Sequence, residues 1–392
     1  MVQILTLSRH KHHIMKTGLY SLVAFYFMLA TMSSPQTARP KPVIIAYVGG
    51  YRGLINVDSI DVWRLSHINY AFIDIRDNRA WLHNTANDTI NLKKLSDLKN
   101  INPRLKVLMS IGGWKWSKNF SDAVLTDSST QNFVSSAIEI VSMFNLDGID
   151  IDWEYPGMKG DSNTYRPEDK QHYTNLFKEL RRQCDSVAQS TGKKYYLTTA
   201  VGGSQNYINH TDMEKVQAYT DYINIMSYDY ADGADSISRH HTNLFISSAD
   251  TNEYSAHRSI QAFIAAGVPP SKIVIGIAFY GKGWEMASVD NNGLHRKTVR
   301  PARGGGYTYL KDSLVNKNGY RQYWDAVARA PYLFNADNKI FISYDNERSV
   351  RNKCKYVWNH HLAGAMFWEY SNDKKEYLLK IIASSFRYRK RD

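Results

Sequence analysis

Residues 146–156 read Leu-Asp-Gly-Ile-Asp-Ile-Asp-Trp-Glu-Tyr-Pro, and from Ile149 to Glu154 apolar and acidic residues alternate strictly. Alternation at a period of two marks an extended strand, whose successive side chains point to opposite faces. Asp150, Asp152 and Glu154 then share one face, and Ile149, Ile151 and Trp153 the other. Carboxyls about 7 Å apart on one face repel when ionised, so at least one is expected to stay protonated near neutral pH. A retained proton is what a general acid needs. A solvated sheet edge would show the same alternation. Aspartate is a poor strand former, however, and no basic strand lies nearby to balance the row. The stretch is read as a catalytic strand.

Outward from it, short apolar runs alternate with helical patterns. The runs fall at 43–48, 67–72, 106–111, 148–153, 195–201, 222–226, 273–278 and 364–368. Helical stretches fall at 92–100, 129–144, 167–190, 255–267 and 347–361, with a closing one at 374–385. Strands alternating with helices in this number predict a (β/α)8 TIM barrel, its first connection the weakest helix. Such barrels carry their reactive groups at the carboxyl ends of the strands. Those ends here are rich in aromatic and polar residues: Tyr47 and Tyr51, Phe72, Trp114 behind Gly112-Gly113, Met226-Ser227-Tyr228-Asp229, Tyr280, and Trp368-Glu369-Tyr370.

A chain of 392 residues accommodates one large α/β domain with an insertion. Its 27 Tyr, 9 Trp and 14 Phe suit a protein that stacks flat apolar faces, sugar rings among them. The net charge of +12 raises nucleic acid as a partner, but the basic residues are scattered and no nucleic-acid motif occurs. No nucleic acid is expected. Cys184 and Cys354 lie in helical patterns and are read as unpaired buried thiols. His240-His241 and His360-His361 lack ligand spacing, so neither metal nor cofactor is expected. The apolar run at 19–32, preceded by Arg9, Lys11 and Lys16, is short for a membrane span and suits a signal-peptide core within 1–38. Met15 is an alternative start, and an uncleaved anchor is the competing reading. The mature chain is expected to be secreted or periplasmic, free of the membrane, and monomeric.

Asp147, Asp150, Asp152 and Glu154 match the pattern Asp-x-x-Asp-x-Asp-x-Glu, and Tyr155-Pro156 follow. This resembles the signature of glycoside hydrolase family 18, the chitinase family. Ser110-Ile111-Gly112-Gly113, Met226-Ser227-Tyr228-Asp229 and Trp368 resemble its further motifs, so the likeness extends over roughly 43–385. It implies a catalytic barrel at 42–282 and 345–387, with a small α+β insertion domain at 283–344 between the seventh and eighth strands. It also implies retaining, substrate-assisted hydrolysis of chitin or chito-oligosaccharides, because no second carboxylate faces Glu154 and Asp229 is the nearest. Glu154 would protonate the leaving oxygen and then activate water. Asp152 would bond the N-acetyl nitrogen, and Asp150 would share a proton with Asp152. Tyr228 would hold the acetamide carbonyl and Asp229 the distorted sugar. Trp368 would form the floor beside Tyr47 and Phe72, Trp114 would stack the sugar beyond the cut, and Met226 and Tyr280 would complete the contacts. Asp147, off the acidic face, is read as structural. The sequence departs from the family at Lys282, where many members have Arg, and at 231–243, which lacks a Trp that several carry. A non-catalytic lectin of this fold typically loses the acid that Glu154 retains. Endo-β-N-acetylglucosaminidases acting on N-glycans often lack the Trp-Glu-Tyr-Pro context. Endo or exo cleavage stays open.

Overall fold

The structure is a computed structural model and describes residues 40–248, 250 and 254–388. The signal peptide expected at 1–38 lies outside the described residues. Eight strands appear where the apolar runs predict them. They are β1 (Val43–Gly49), β2 (His67–Arg76), β4 (Lys106–Gly112), β5 (Gly148–Asp152), β6 (Tyr196–Gly202), β7 (Tyr222–Met226), β8 (Ile273–Ala278) and β14 (Gly364–Trp368). Each pairs in parallel with its neighbours, and β1 pairs with both β2 and β14, which closes the barrel. β8 shows why these segments pair in parallel. Its six residues, Ile-Val-Ile-Gly-Ile-Ala, are all buried, as a strand covered on both faces requires.

β2 outruns its predicted end and turns back through Asp77-Asn78 into β3 (Arg79–Trp81), a hairpin extension the apolar pattern did not disclose. The first connection is the weakest, as expected: two single 3-10 turns, Val57–Ser59 and Val62–Arg64. Helices Asp127–Met143, Asp169–Thr191, Ala256–Ala265, Glu347–Asn359 and Tyr377–Ser385 match their patterns, and the helix expected at 92–100 begins earlier, as Thr85–Asp97. Asp127–Met143 begins at a reciprocal Thr126–Ser129 capping box. Asp169–Thr191 stops at Gly192 in the left-handed conformation, φ 69°.

Alternation along each strand separates two apolar clusters. Ile44, Ala46 and Val48 pack outward against the helices, whereas Ile45 and Tyr47 face into the barrel beside Phe72, Tyr228 and Met366. Trp153 belongs to the outer layer, stacked on Phe120 at 5.0 Å. Cys184 and Cys354 are buried and unpaired.

Between β8 and β14 lies a second, antiparallel sheet of β9 (Tyr280–Met286), β10 (Thr298–Gly306), β11 (Tyr320–Asp325), β12 (Ala330–Asn335) and β13 (Ile340–Ser343). Their spatial order is β10-β9-β13-β12-β11. The sheet begins at Tyr280, ahead of the expected 283, because only Phe279 separates it from β8. Phe279 is buried and stacks on Phe367 at 4.1 Å.

Asp147 takes the structural place expected of it. Its Oδ2 accepts from the Val107 amide at 2.9 Å and pairs with Lys99 at 3.1 Å, tying the starts of β4 and β5 together. Asp147→Ala leaves that buried amide without a partner and is expected to cost about 1–3 kcal/mol. Thermal unfolding would register this as a lowered Tm, with activity retained at low temperature.

Candidate active site

Register assembles the site. β5 is central and wholly buried, and Asp150 stands opposite Ser110 on β4 and Thr198 on β6. Directly opposed residues share a face, so both hydroxyls reach its carboxylate: Ser110 Oγ at 2.7 Å and Thr198 Oγ1 at 2.5 Å. Tyr47 Oη from β1 donates at 2.9 Å and Asn224 Nδ2 from β7 at 3.2 Å. Burial raises the Asp150 pKa, and these four hydrogen bonds hold the rise in check.

Asp152, one step toward the carboxyl end, has no such support. Its Oδ1 is buried without a hydrogen-bond partner among the described residues. Burial first, then the charges of Glu154 and Asp150, push its pKa well above the ordinary value. Among the described residues Asp150 bonds to hydroxyls and a side-chain amide, and its charge acts on Asp152.

The strand ends at Asp152, so Glu154 sits just beyond it, and its position depends on a contact that the sequence did not signal. Ser117 Oγ accepts from the Glu154 amide at 2.9 Å and lies 2.9 Å from the Gly113 carbonyl and 3.0 Å from that of Asp152. Gly112 and Gly113, at φ 106° and 81°, make this turn possible. A Cβ on Gly112 would come within 2.2 Å of the Asp152 carbonyl, and one on Gly113 within 2.6 Å of the Phe72 ring. Glu154 is only 9% exposed, and burial, opposed by a Tyr155 hydrogen bond and reinforced by Asp229, carries its pKa to about 7. It can hold a proton at neutral pH and release it.

Asp229 has the opposite environment. It takes the left-handed conformation, φ 58°, with half of its side chain open. Tyr280 Oη donates to it at 2.6 Å, Lys282 Nζ lies at 2.9 Å and His241 Nδ1 at 3.4 Å. Desolvation alone would raise its pKa, but the His241 contact and the Lys282 charge outweigh it and bring it to about 2. Burial presses His241 toward its neutral form. Tyr228 is buried between these groups, its ring edge-on to Tyr280 at 6.2 Å.

Aromatic side chains from four strand ends form one wall. Trp368 stacks with Phe72 at 5.4 Å and Tyr51 at 6.2 Å, and lies 5.9 Å from Tyr47. Trp116, which the sequence reading passed over, continues the wall from Phe72 at 5.9 Å and donates its Nε1–H to His83. Met226 packs at the edge of the inner cluster. Trp114 stands apart, half exposed, edge-on to Tyr155 at 6.2 Å. Among the described residues no cluster of His, Cys, Asp or Glu could hold a metal ion.

The model of the glycosyl hydrolases family 18 matches residues 43–373. The chain belongs to this family. It is 36% identical over 383 residues to chitinase A1 of Niallia circulans, a match covering 82% of this chain and 55% of that one. It thus spans little more than half of that relative's length. A solved family 18 N-acetylglucosaminidase from Paenibacillus barengoltzii is 38% identical, with a TM-score of 0.82 over 88% of this chain and 99% of that one. A group IV chitinase from Ostrinia furnacalis, solved with allosamidin, is 28% identical, with a TM-score of 0.79 over 88% and 99%. The chain is a glycoside hydrolase.

Two outcomes follow from this geometry. Ser117→Ala removes the oxygen that anchors the Glu154 amide and is expected to lower kcat about tenfold or more with little change in KM, since small misplacements of a reacting group are costly. Glu154 has a folded pKa above its unfolded one, so its contribution to stability is intact at pH 4 and lost as the pH rises through 7. Glu154→Gln should therefore raise Tm relative to wild type, by more at pH 8 than at pH 5.

Proposed function

We propose that this chain is an exported chitinase that cleaves β-1,4-linked N-acetylglucosamine chains with retention, using the substrate's own acetamide as nucleophile. One observation carries the reading: Glu154 is a protonatable acid near neutrality, while Asp229, whose charge acts on it from just beyond β7, is kept ionised by its contacts with His241, Lys282 and Tyr280. Paired-carboxylate retention needs a free nucleophilic carboxylate across the sugar, whereas substrate assistance does not.

In the first step Glu154 gives its proton to the glycosidic oxygen as the C1–O bond breaks. The acetamide carbonyl oxygen bonds to C1 and forms an oxazolinium ring. Asp152, with an unpartnered oxygen, accepts the acetamide N–H. Asp152 and Asp150 share one proton, so the single negative charge left on the pair balances the ring's positive charge. Tyr228 Oη steadies the carbonyl, and Asp229 with Tyr280 holds the sugar's hydroxyls. Trp368, Tyr47 and Phe72 cover the apolar face of the sugar before the cut, Met226 fills beneath it, and Trp114 covers the sugar after it. In the second step Glu154 takes a proton from water as water attacks C1, and the β configuration returns.

The charge field supports this division of roles, since a general acid works best with a pKa near the working pH. Glu154→Gln should lower kcat by about 10²–10⁴-fold. Wild-type kcat/KM should fall about tenfold per pH unit above 7, where the free enzyme loses the Glu154 proton. Digestion of the N-acetylglucosamine pentamer decides the rest: β-anomeric products from wild type alone support retention. Dimer and trimer first would indicate chitinase cleavage. Monomer first would favour the second reading, an N-acetylglucosaminidase like the Paenibacillus relative. Binding without cleavage would overturn both. Export rests on the apolar run at 19–32 and is tested by amino-terminal sequencing of the mature chain.

A further inference from the structure

The second sheet carries a concavity at the edge farthest from the cleft. β9, which bears Tyr280 and Lys282, is separated from the edge strand β11 by β13 and β12. Three strand spacings place β11 about 14 Å across the sheet from β9. On β11, Arg321 stands opposite Phe334 and Tyr323 opposite Tyr332, so these four side chains share one face. Tyr323 stacks on Tyr332 at 5.2 Å and 17°, which covers one face of its ring and leaves the side chain partly buried.

Two left-handed loops bracket this aromatic floor. In one, Asn291, Asn292 and Gly293 have φ of 51°, 51° and 79°, and a Cβ on Gly293 would lie 2.8 Å from the Phe334 ring. In the other, Asn316, Asn318 and Gly319 have φ of 54°, 50° and 79°, and a Cβ on Gly319 would meet Asn335 Nδ2 at 2.8 Å. Close packing fixes both loops against the β11–β12 ribbon. Between them lies a cavity of about 880 Å³ lined by Asn292, Lys317, Arg321, Tyr323, Phe334 and Asp337. That volume is within the range of small-molecule sites. Among the described residues, Arg321 and Asp337 make neither a side-chain hydrogen bond nor an ion pair. Both are exposed and free to meet a ligand.

We propose that this concavity is a second carbohydrate-binding site, taking a short N-acetylglucosamine oligomer whose apolar ring face lies on Tyr323. An aromatic plate beside unpaired donors and acceptors of both signs suits a neutral, polyhydroxylated ring. Arg321 would donate to hydroxyl or acetamide oxygens, and Asp337 would accept from hydroxyls. A highly charged ligand is disfavoured, because Asp337 stands beside Lys317 and Arg321. The sugar identity rests on the chitinase reading; the site's existence does not. Holding a polymer at a point outside the cleft raises its effective concentration at the cut.

The test uses the full chain carrying Glu154→Gln, titrated calorimetrically with the N-acetylglucosamine tetramer. Two independent binding events per chain are expected, reduced to one by added Tyr323→Ala. Arg321→Ala, which leaves the Tyr323–Tyr332 stack in place, should weaken the second event about tenfold. In the active enzyme, Tyr323→Ala should leave kcat/KM on a soluble trimer within about twofold and lower adsorption to insoluble chitin at least about threefold. A single event in the parent, or two events unchanged by both variants, overturns the site. An event abolished by Tyr323→Ala, together with a wild type that cuts no chitin, upholds the site and overturns the chitinase reading instead.

Discussion

Everything at the site depends on keeping an unbalanced row of carboxyls out of water. Asp150 is wholly buried, and among the described residues no cation touches it. Four donors from four strands make this tolerable: Tyr47 on β1, Ser110 on β4, Thr198 on β6 and Asn224 on β7. These residues are far apart in the chain, and only a closed barrel brings them to one point. The barrel therefore does more than display the site. It supplies the hydrogen bonds that replace solvent for the innermost acid, and the acid's field then falls on Asp152. Removing one donor would leave a buried carboxyl short of a partner, which is costlier than the loss of an ordinary hydrogen bond.

The two carboxylates at the mouth are driven in opposite directions by their surroundings. Burial carries Glu154 to about 7, whereas Asp229, in contact with His241 and Lys282, falls to about 2. This divergence separates an acid that exchanges protons from one that keeps its charge. Lys282, the departure from the usual Arg, makes a single point contact with Asp229, and Tyr280 supplies the second donor. The aromatic wall is equally specific. Tyr51, Phe72, Trp116 and Trp368 come from in or just beyond four different barrel strands, yet their rings pack on one another, so the surface they present is set before any ligand arrives.

Much of this was legible because strand periodicity is local. The alternation at 149–154 identified β5 and the acidic face, and the parity of Asp147 placed it correctly outside that face. The apolar runs located all eight barrel strands. What stayed hidden depends on register and on loops. Ser110 and Thr198 meet Asp150 only because their strands align there, and no spacing within either segment reports that. Ser117 and Trp116 lie in a loop whose course is set by Gly112 and Gly113, and His241 reaches Asp229 from a connection with no periodicity. The hairpin at 67–81 was missed because its tip, Asp77-Asn78, uses left-handed residues in place of an Asn-Gly pair.

Burial and neighbouring charge, not substrate, set the protonation of Glu154. The direct measurement is a ¹³C NMR titration of the Glu154 carboxyl in the free protein, repeated with Asp229→Asn. A midpoint near 7 is expected in the wild type, displaced downward when the Asp229 charge is removed. A midpoint at the ordinary glutamate value of about 4.3, unmoved by the substitution, would contradict it.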